Sequence, residues 1–283
     1  MKVYKYCREM KSRLLFLFKN HDLNIFEKLC IIPSRNAYYK SHPVILKKLF
    51  YRNHSQEFFN ISGYKIFFDP GYEVHNRDLF LKGICLVLAE TFFFPNYFYR
   101  NVRPKKGDIV FDIGANIGTT SLLFSKYVGK SGMVYAFEPV TWKAIEKNLI
   151  ENNISNIKVI PKGVSDASYE TEIEISDFCV DSSICKAHNN YSSKQKIKVI
   201  SLDDFIKDLN LEKIDFINMD IEGAEELALR GSKMLIEKYH PKWSISSYHF
   251  DQQNQPQHIK LVMLLKEYGY IIKEIESSHI YAW

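Results

Sequence analysis

The chain has 283 residues, 46% of them hydrophobic, and a formal net charge of +5, which suits one large globular domain with an extension, or two small domains. The positive excess is mild, and no dense basic block interleaves with aromatics, which argues against a nucleic-acid partner. Five cysteines (Cys7, Cys30, Cys85, Cys179 and Cys185) make an odd number without C-x-x-C spacing, so neither a disulfide framework nor a thiolate zinc site organises the chain, and reduced thiols in the cytoplasm are expected.

The N-terminus carries Lys2, Lys5, Arg8, Lys11, Arg13 and Lys19 against Glu9. A basic amphipathic helix of this kind can lie on an anionic membrane surface, although such helices more often pack on their own domain. The apolar run Leu14 to Phe18 is far shorter than the roughly 20 residues needed to cross a bilayer, and no small-residue cleavage site follows it. No transmembrane segment is expected, and the location expected is cytoplasmic. Residues 22–31 read as a helix ended by Ile32-Pro33-Ser34, and residues 42–51 as another. Residues 1–75 are therefore expected to form a mainly helical extension, with the main domain over 76–283. Tyr64 to Phe68 reads as a strand stopped by Asp69-Pro70-Gly71. Residues 78–100 read as an apolar helix carrying Glu90 and broken near Pro95.

From residue 109 strands and helices alternate, the mark of a mainly parallel sheet covered on both faces. Strands are expected at 109–112, 133–137, 158–161, 214–219 and 243–246. Helices are expected at 119–127, at 141–152 with Thr141 as N-cap, and at 258–268, with a short helix after Ser201. Residues 170–200 alternate as an inserted hairpin around a polar loop, and 270–283 finish as a second hairpin.

The first strand runs into Asp112-Ile113-Gly114-Ala115-Asn116-Ile117-Gly118, and the next ends in Phe137-Glu138-Pro139, its carboxylate 20 residues after Gly118. A dinucleotide site needs G-x-G-x-x-G, so that a pyrophosphate can rest on bare helix N–H groups. Here Asn116 replaces the second glycine, no third glycine follows Gly118, and Asp112 would repel a pyrophosphate. The same carboxylate would attract an ammonium group, and Glu138 is placed to hold a ribose diol. This polarity fits S-adenosylmethionine rather than NAD, and it ranks a nicotinamide-linked oxidoreductase low.

With Asp220-Ile221-Glu222-Gly223-Ala224-Glu225 further on, these segments resemble the FkbM family of S-adenosylmethionine-dependent methyltransferases over about residues 75 to 283. The resemblance implies a class I methyltransferase fold: a Rossmann-like α/β domain with a seven-stranded, mostly parallel sheet and a C-terminal antiparallel hairpin. It implies O-methylation of a carbohydrate or another polar metabolite, without fixing the acceptor. It also suggests that Glu90 and Tyr97 close over the cofactor.

Ligands of open α/β sheets bind at the carboxyl ends of the strands. That rule selects Asp112, Gly114, Asn116, Gly118, Glu138 and Asp166 for the cofactor, with Asp166 set to accept from the adenine amino group, and the resemblance adds Glu90. It selects Asp220 and His249 for catalysis, His249 as a general base because imidazole accepts a proton near neutral pH. A divalent cation on Asp220 and Glu222 is the competing use of those carboxylates, while Glu225 reads as a first-turn helix residue favoured by the macrodipole. The partner expected is a small molecule or glycan. A non-catalytic, methyltransferase-like binding module is the second function class, and cofactor binding without turnover would mark it.

Overall fold

The structure, a computed structural model, describes residues 50–53, 56–69, 73–92, 97–176, 191–207, 209–251, 253–275 and 278–283. The expected helix at 22–31, the basic N-terminal segment and most of the expected helix at 42–51 lie outside these residues. From Phe50 onward the extension is strand rather than helix. Strands β1 (Phe50–Asn53), β2 (Gln56–Ile61) and β3 (Tyr64–Phe67) form an antiparallel meander. The cause is a two-residue turn: Ser62 and Gly63 both take positive φ, 53° and 86°, the backbone that matches strand twist in a tight hairpin. Phe59 and Ile61 then face the core while Asn60 between them is half-buried.

The apolar helix α1 (Arg77–Phe92) follows. The regular region then alternates as expected: β4 (Ile109–Ile113), α2 (Thr119–Val128), β5 (Met133–Phe137), α3 (Trp142–Glu151) and β6 (Ile157–Ile160). The inserted arm comes next, with β7 (Gly163–Val164), β8 (Tyr169–Ser176) and β9 (Tyr191–Ile200). After α4 (Leu202–Lys207) the chain forms β10 (Phe216–Met219), α5 (Glu225–Arg230), α6 (Lys233–Tyr239) and β11 (Lys242–Ser246). It ends with α7 (His258–Glu267), β12 (Ile272–Ile275) and β13 (His279–Ala282).

Seven of these strands make one sheet in the order β12-β13-β11-β10-β4-β5-β6. β10 pairs in parallel with β4 and β11, β5 in parallel with β4 and β6, and β13 antiparallel to β11 and β12. This is the expected class I methyltransferase sheet. Its strands are near-continuous apolar runs because both faces are covered. Val110, Val134, Ala136 and Phe216 pack on one side with Leu122, Phe124 and residues of the meander and α1. Phe111, Phe137, Ile217, Met219 and Trp243 pack on the other with residues of α4 to α7. No described helix is long and apolar enough to cross a membrane.

Two features flank the sheet's carboxyl edge. The meander is tied to α3 by asparagine amides: Asn148 Oδ1 accepts from the Phe67 amide at 2.7 Å and Asn148 Nδ2 donates to the Phe67 carbonyl at 3.0 Å. Asn152 makes the same pair of bonds with Lys65, at 2.8 and 2.7 Å. The arm has its own small core of Val140, Ile173, Ile175, Ile197 and Val199. Its other face pairs Glu170 with Lys198, Glu172 with Lys196 and Glu174 with Lys194 in register.

Candidate active site

The turn after β4 is shaped by left-handed backbone at Gly114 (φ +83°), Asn116 (51°) and Gly118 (+85°). The small size of the two glycines also serves contacts within the protein. A Cβ on Gly114 would lie 1.9 Å from the Asp220 carbonyl oxygen, and one on Gly118 would lie 2.9 Å from Ile145 Cγ2. The amides of Gly114 and Ala115 both donate to the Phe137 carbonyl at the end of β5, at 3.0 and 3.1 Å.

Glu138 lies under this turn, 8% exposed. Its Oε1 accepts from the Val140 and Thr141 amides at 2.8 and 3.1 Å, and Oε2 from the Asn116 amide at 3.1 Å. Burial raises its pKa, against the pull of these hydrogen bonds. Thr141 stands at the N-cap position of α3, but its hydroxyl makes no capping bond. It donates instead to the Asn116 carbonyl at 2.9 Å. The residue read as a helix cap thus ties the helix to the turn.

Asp112 is fully buried, and both its oxygens are engaged by the protein. Oδ2 accepts from Ser121 Oγ at 2.6 Å and Oδ1 from Asn218 Nδ2 at 3.0 Å. Burial pushes its carboxyl up to about 6, partly offset by these two donors. Through these bonds it joins β4, α2 and β10. Asp166, exposed just past β7, accepts from Ser165 Oγ at 3.1 Å.

At the ends of β10 and β11 the geometry changes. Asp220 is followed by Glu222 and Gly223 in positive φ, 54° and 109°, which folds the chain back and brings the acidic side chains together around His249. This histidine is 2% exposed. Its Nδ1 lies 2.7 Å from Glu225 Oε1, and its Nε2 lies 3.3 Å from Glu222 Oε2 and 3.5 Å from Asp220 Oδ1. A carboxylate only accepts, so Nδ1 carries the proton.

Glu225 is the residue that sequence reasoning underrated. It does begin α5, but it is fully buried. Besides His249 it accepts from the Ile221 and Gly223 amides and from Gln257 Nε2, at 3.1, 3.0 and 2.9 Å. Four donors fill a carboxylate's lone pairs. Burial pushes its pKa up, but the His249 charge and these bonds prevail and hold it below its ordinary value. For His249, burial pulls the pKa down and is outweighed by the Glu225 charge, the bond to Glu225 and the nearby Glu222 carboxylate, which hold it at about 11. Asp220 is pushed up to about 7 by burial, against the His249 charge and with the repulsion of Glu222, Glu225 and Glu90.

Glu90, near the end of α1, therefore lies on the Asp220 side of the edge. Tyr97 is raised by burial and by Glu90 and Asp220, and is held by hydrogen bonds to Thr120 and Thr91. Tyr248, 54% exposed, packs against the His249 ring at a tilt, with centroids 4.0 Å apart. Among the described residues, Asn218 Oδ1, Asp220 Oδ1 and His249 Nε2 are buried side-chain atoms without a hydrogen-bond partner. The two groups of residues meet at Gly114, which touches the Asp220 carbonyl.

The methyltransferase FkbM domain matches residues 112–272, more than half of the chain. The chain belongs to the FkbM methyltransferase family. That match takes in the turn after β4, Glu138, the arm, and the Asp220 and His249 cluster. Among solved structures, the chain is similar to the FkbM methyltransferase of Methylobacillus flagellatus KT, at 20% identity over 73% of this chain and 55% of that one, with a TM-score of 0.43. It is similar to an Aeropyrum pernix fibrillarin with bound S-adenosyl-L-methionine, at 13% identity over 83% of this chain and 97% of that one, with a TM-score of 0.41. A Thermotoga maritima SAM-dependent O-methyltransferase is 13% identical over 74% of this chain and 65% of that one, with a TM-score of 0.38. The chain thus spans about half of the Methylobacillus protein. No match is found among curated proteins.

Proposed function

We propose that this protein transfers a methyl group from S-adenosylmethionine to a hydroxyl of a carbohydrate or another polar metabolite. The observation that carries the reading is the contact of Gly114 with the Asp220 carbonyl. It sets the turn suited to a nucleoside directly against a cluster of carboxylates, the two parts that methyl transfer to oxygen requires.

In this reading Glu138 receives a ribose hydroxyl on the Oε2 lone pair that its backbone donors leave, and Asn116 and Gly118 shape the wall beside it. Asp112 acts through Asn218 and Ser121, fixing β4, β10 and α2 around the donor. Asp166, at the far end of the edge, stands where the adenine amino group is expected. Methyl transfer is an in-line displacement: the acceptor oxygen forms the new bond to carbon, the carbon–sulfur bond breaks, and its electron pair goes to sulfur. The sulfonium is already activated, so the protein mainly aligns the reactants and keeps water out. The acceptor hydroxyl must lose its proton, and Asp220 is the acceptor for it. His249 has a different part from the general base expected of it. Bonded to Glu225, it sets the position of Asp220 and Glu222.

Calorimetry tests the donor half directly. Purified protein should bind adenosylhomocysteine one to one and should not bind NAD. Incubation with S-adenosylmethionine and a panel of hydroxylated acceptors should add one methyl mass to an acceptor. Absence of adenosylhomocysteine binding sinks the reading. Binding without methylation across the panel supports the non-catalytic module instead.

A further inference from the structure

We propose that Asp220, Glu222 and His249 Nε2 form a divalent-cation site, with Glu225 as the outer partner that orients the histidine. The proposal deepens the methyltransferase reading in what the ion does, whereas its binding is tested independently.

An acidic cluster alone would not carry this. The deciding observation is the histidine. His249 is 2% exposed, and its Nε2 points among carboxylates without a hydrogen-bond partner. Glu225 takes the proton-bearing Nδ1 at 2.7 Å, which leaves Nε2 aimed at Asp220 and Glu222. A divalent cation seated there would displace any proton on Nε2 and give the three buried groups a shared positive partner. A carboxylate bonded to the far nitrogen of a metal-binding histidine is the usual way its tautomer and orientation are fixed.

The distances from Nε2 to each carboxylate agree. Metal bonds of about 2.1 Å place neighbouring ligand atoms about 3.0–3.5 Å apart. Nε2 stands 3.3 Å from Glu222 Oε2 and 3.5 Å from Asp220 Oδ1. These are long for hydrogen bonds and suited to the edges of a coordination polyhedron. Asp220 Oδ1 is itself buried and unpartnered. Ligand-type atoms of Asp220, Glu225 and His249 all lie within 4.8 Å of one another, but the four donors on Glu225 make it the outer member.

One imidazole and two carboxylates suit Mn²⁺ or Zn²⁺. Three protein ligands leave open positions on such an ion. Tyr248, half-exposed on the His249 ring, marks the solvent side. Two neighbouring hydroxyls of a polyol would chelate there, and the ion would polarise the one to be methylated. That hydroxyl's proton would pass to the second oxygen of Asp220. The substrate class implied is a vicinal diol.

Mn²⁺ is the probe. Titration of the full chain, followed by the loss of the free Mn²⁺ electron-paramagnetic signal, should show one site. Electron spin-echo modulation should show coupling to an imidazole nitrogen. His249→Ala should abolish that coupling and weaken binding at least tenfold. Glu222→Gln should weaken binding at least tenfold and keep the coupling. Glu225→Gln should weaken binding about tenfold, and Glu170→Gln on the arm should change nothing. Circular dichroism checks that each variant folds, and the wild-type nitrogen coupling stands without any variant. Overturning results are no one-to-one Mn²⁺ binding, binding without nitrogen coupling, or binding indifferent to both His249→Ala and Glu222→Gln. A protein that binds adenosylhomocysteine but not Mn²⁺ loses the ion site and keeps the methyltransferase reading. Nitrogen-coupled Mn²⁺ binding without adenosylhomocysteine binding does the reverse.

Discussion

At the turn after β4, Asp112 and Glu138 direct each of their oxygens at a donor within the protein, whereas at the ends of β10 and β11 Asn218, Asp220 and His249 keep buried atoms with no such partner. Both regions bury carboxylates on the same sheet edge. The first is assembled by backbone amides and hydroxyls, so its shape is set before any ligand arrives. The second is held together by one histidine among acids, an arrangement that gains from a further positive or hydrogen-bonding group. A donor site repeated in every turnover profits from rigidity, and an acceptor site profits from groups left over for the reaction.

Gly114→Ala should break both regions at once, because its Cβ would lie 1.9 Å from the Asp220 carbonyl oxygen at a positive φ. A loss of at least ~2 kcal/mol in unfolding free energy is expected, together with loss of adenosylhomocysteine binding. Wild-type stability in a thermal melt would show that the two regions are independent.

Asp220→Asn sharpens the comparison from the acceptor side. Turnover should fall roughly 10²–10³-fold while the adenosylhomocysteine affinity, read by calorimetry, stays within about threefold. An equal loss in both would mean that Asp220 serves the donor.

Asp112→Asn probes the donor side through pH. The folded carboxyl is held near 6 against an ordinary 3.8, so the native state binds the proton more tightly than the unfolded chain. Its contribution therefore favours folding at low pH and is lost as pH rises through 6. Relative to wild type, Asp112→Asn should gain up to ~3 kcal/mol of stability between pH 4 and pH 7. Parallel stability curves in urea across that range would contradict the burial argument.

Glu138→Ala should have the smallest effect, a tenfold to hundredfold weaker adenosylhomocysteine affinity. The Mn²⁺ affinity should not change if the regions differ as described.

Most of the sheet was legible because its signals are local. An apolar run ending in Asp112-x-Gly114 or Glu138-Pro139 announces strand and edge together. Meander strand β2 was missed, although Ser62-Gly63 ahead of Tyr64 is a hairpin turn in sequence. Within the site, the carboxylates were found as a motif, but their division of labour was not. Glu225 matters because His249, 24 residues further on, packs against it, and a helix-start carboxylate looks the same whether it faces solvent or the interior. The surroundings of His249 were hidden for the same reason, since its basicity is set by neighbours that only the fold supplies. For Asp112 the acidic character was read correctly, but its orientation depends on Asn218 across the β4–β10 pair.

The paired amides of Asn148 and Asn152 have a consequence beyond the site. β3 is an edge strand of its three-stranded sheet, and such an edge is a template on which another chain can add a strand. Two side chains from α3 bond the N–H and C=O groups of Lys65 and Phe67, as a neighbouring strand would. The domain thereby closes that border with its own helix, and the meander is shielded there from growing into an aggregate.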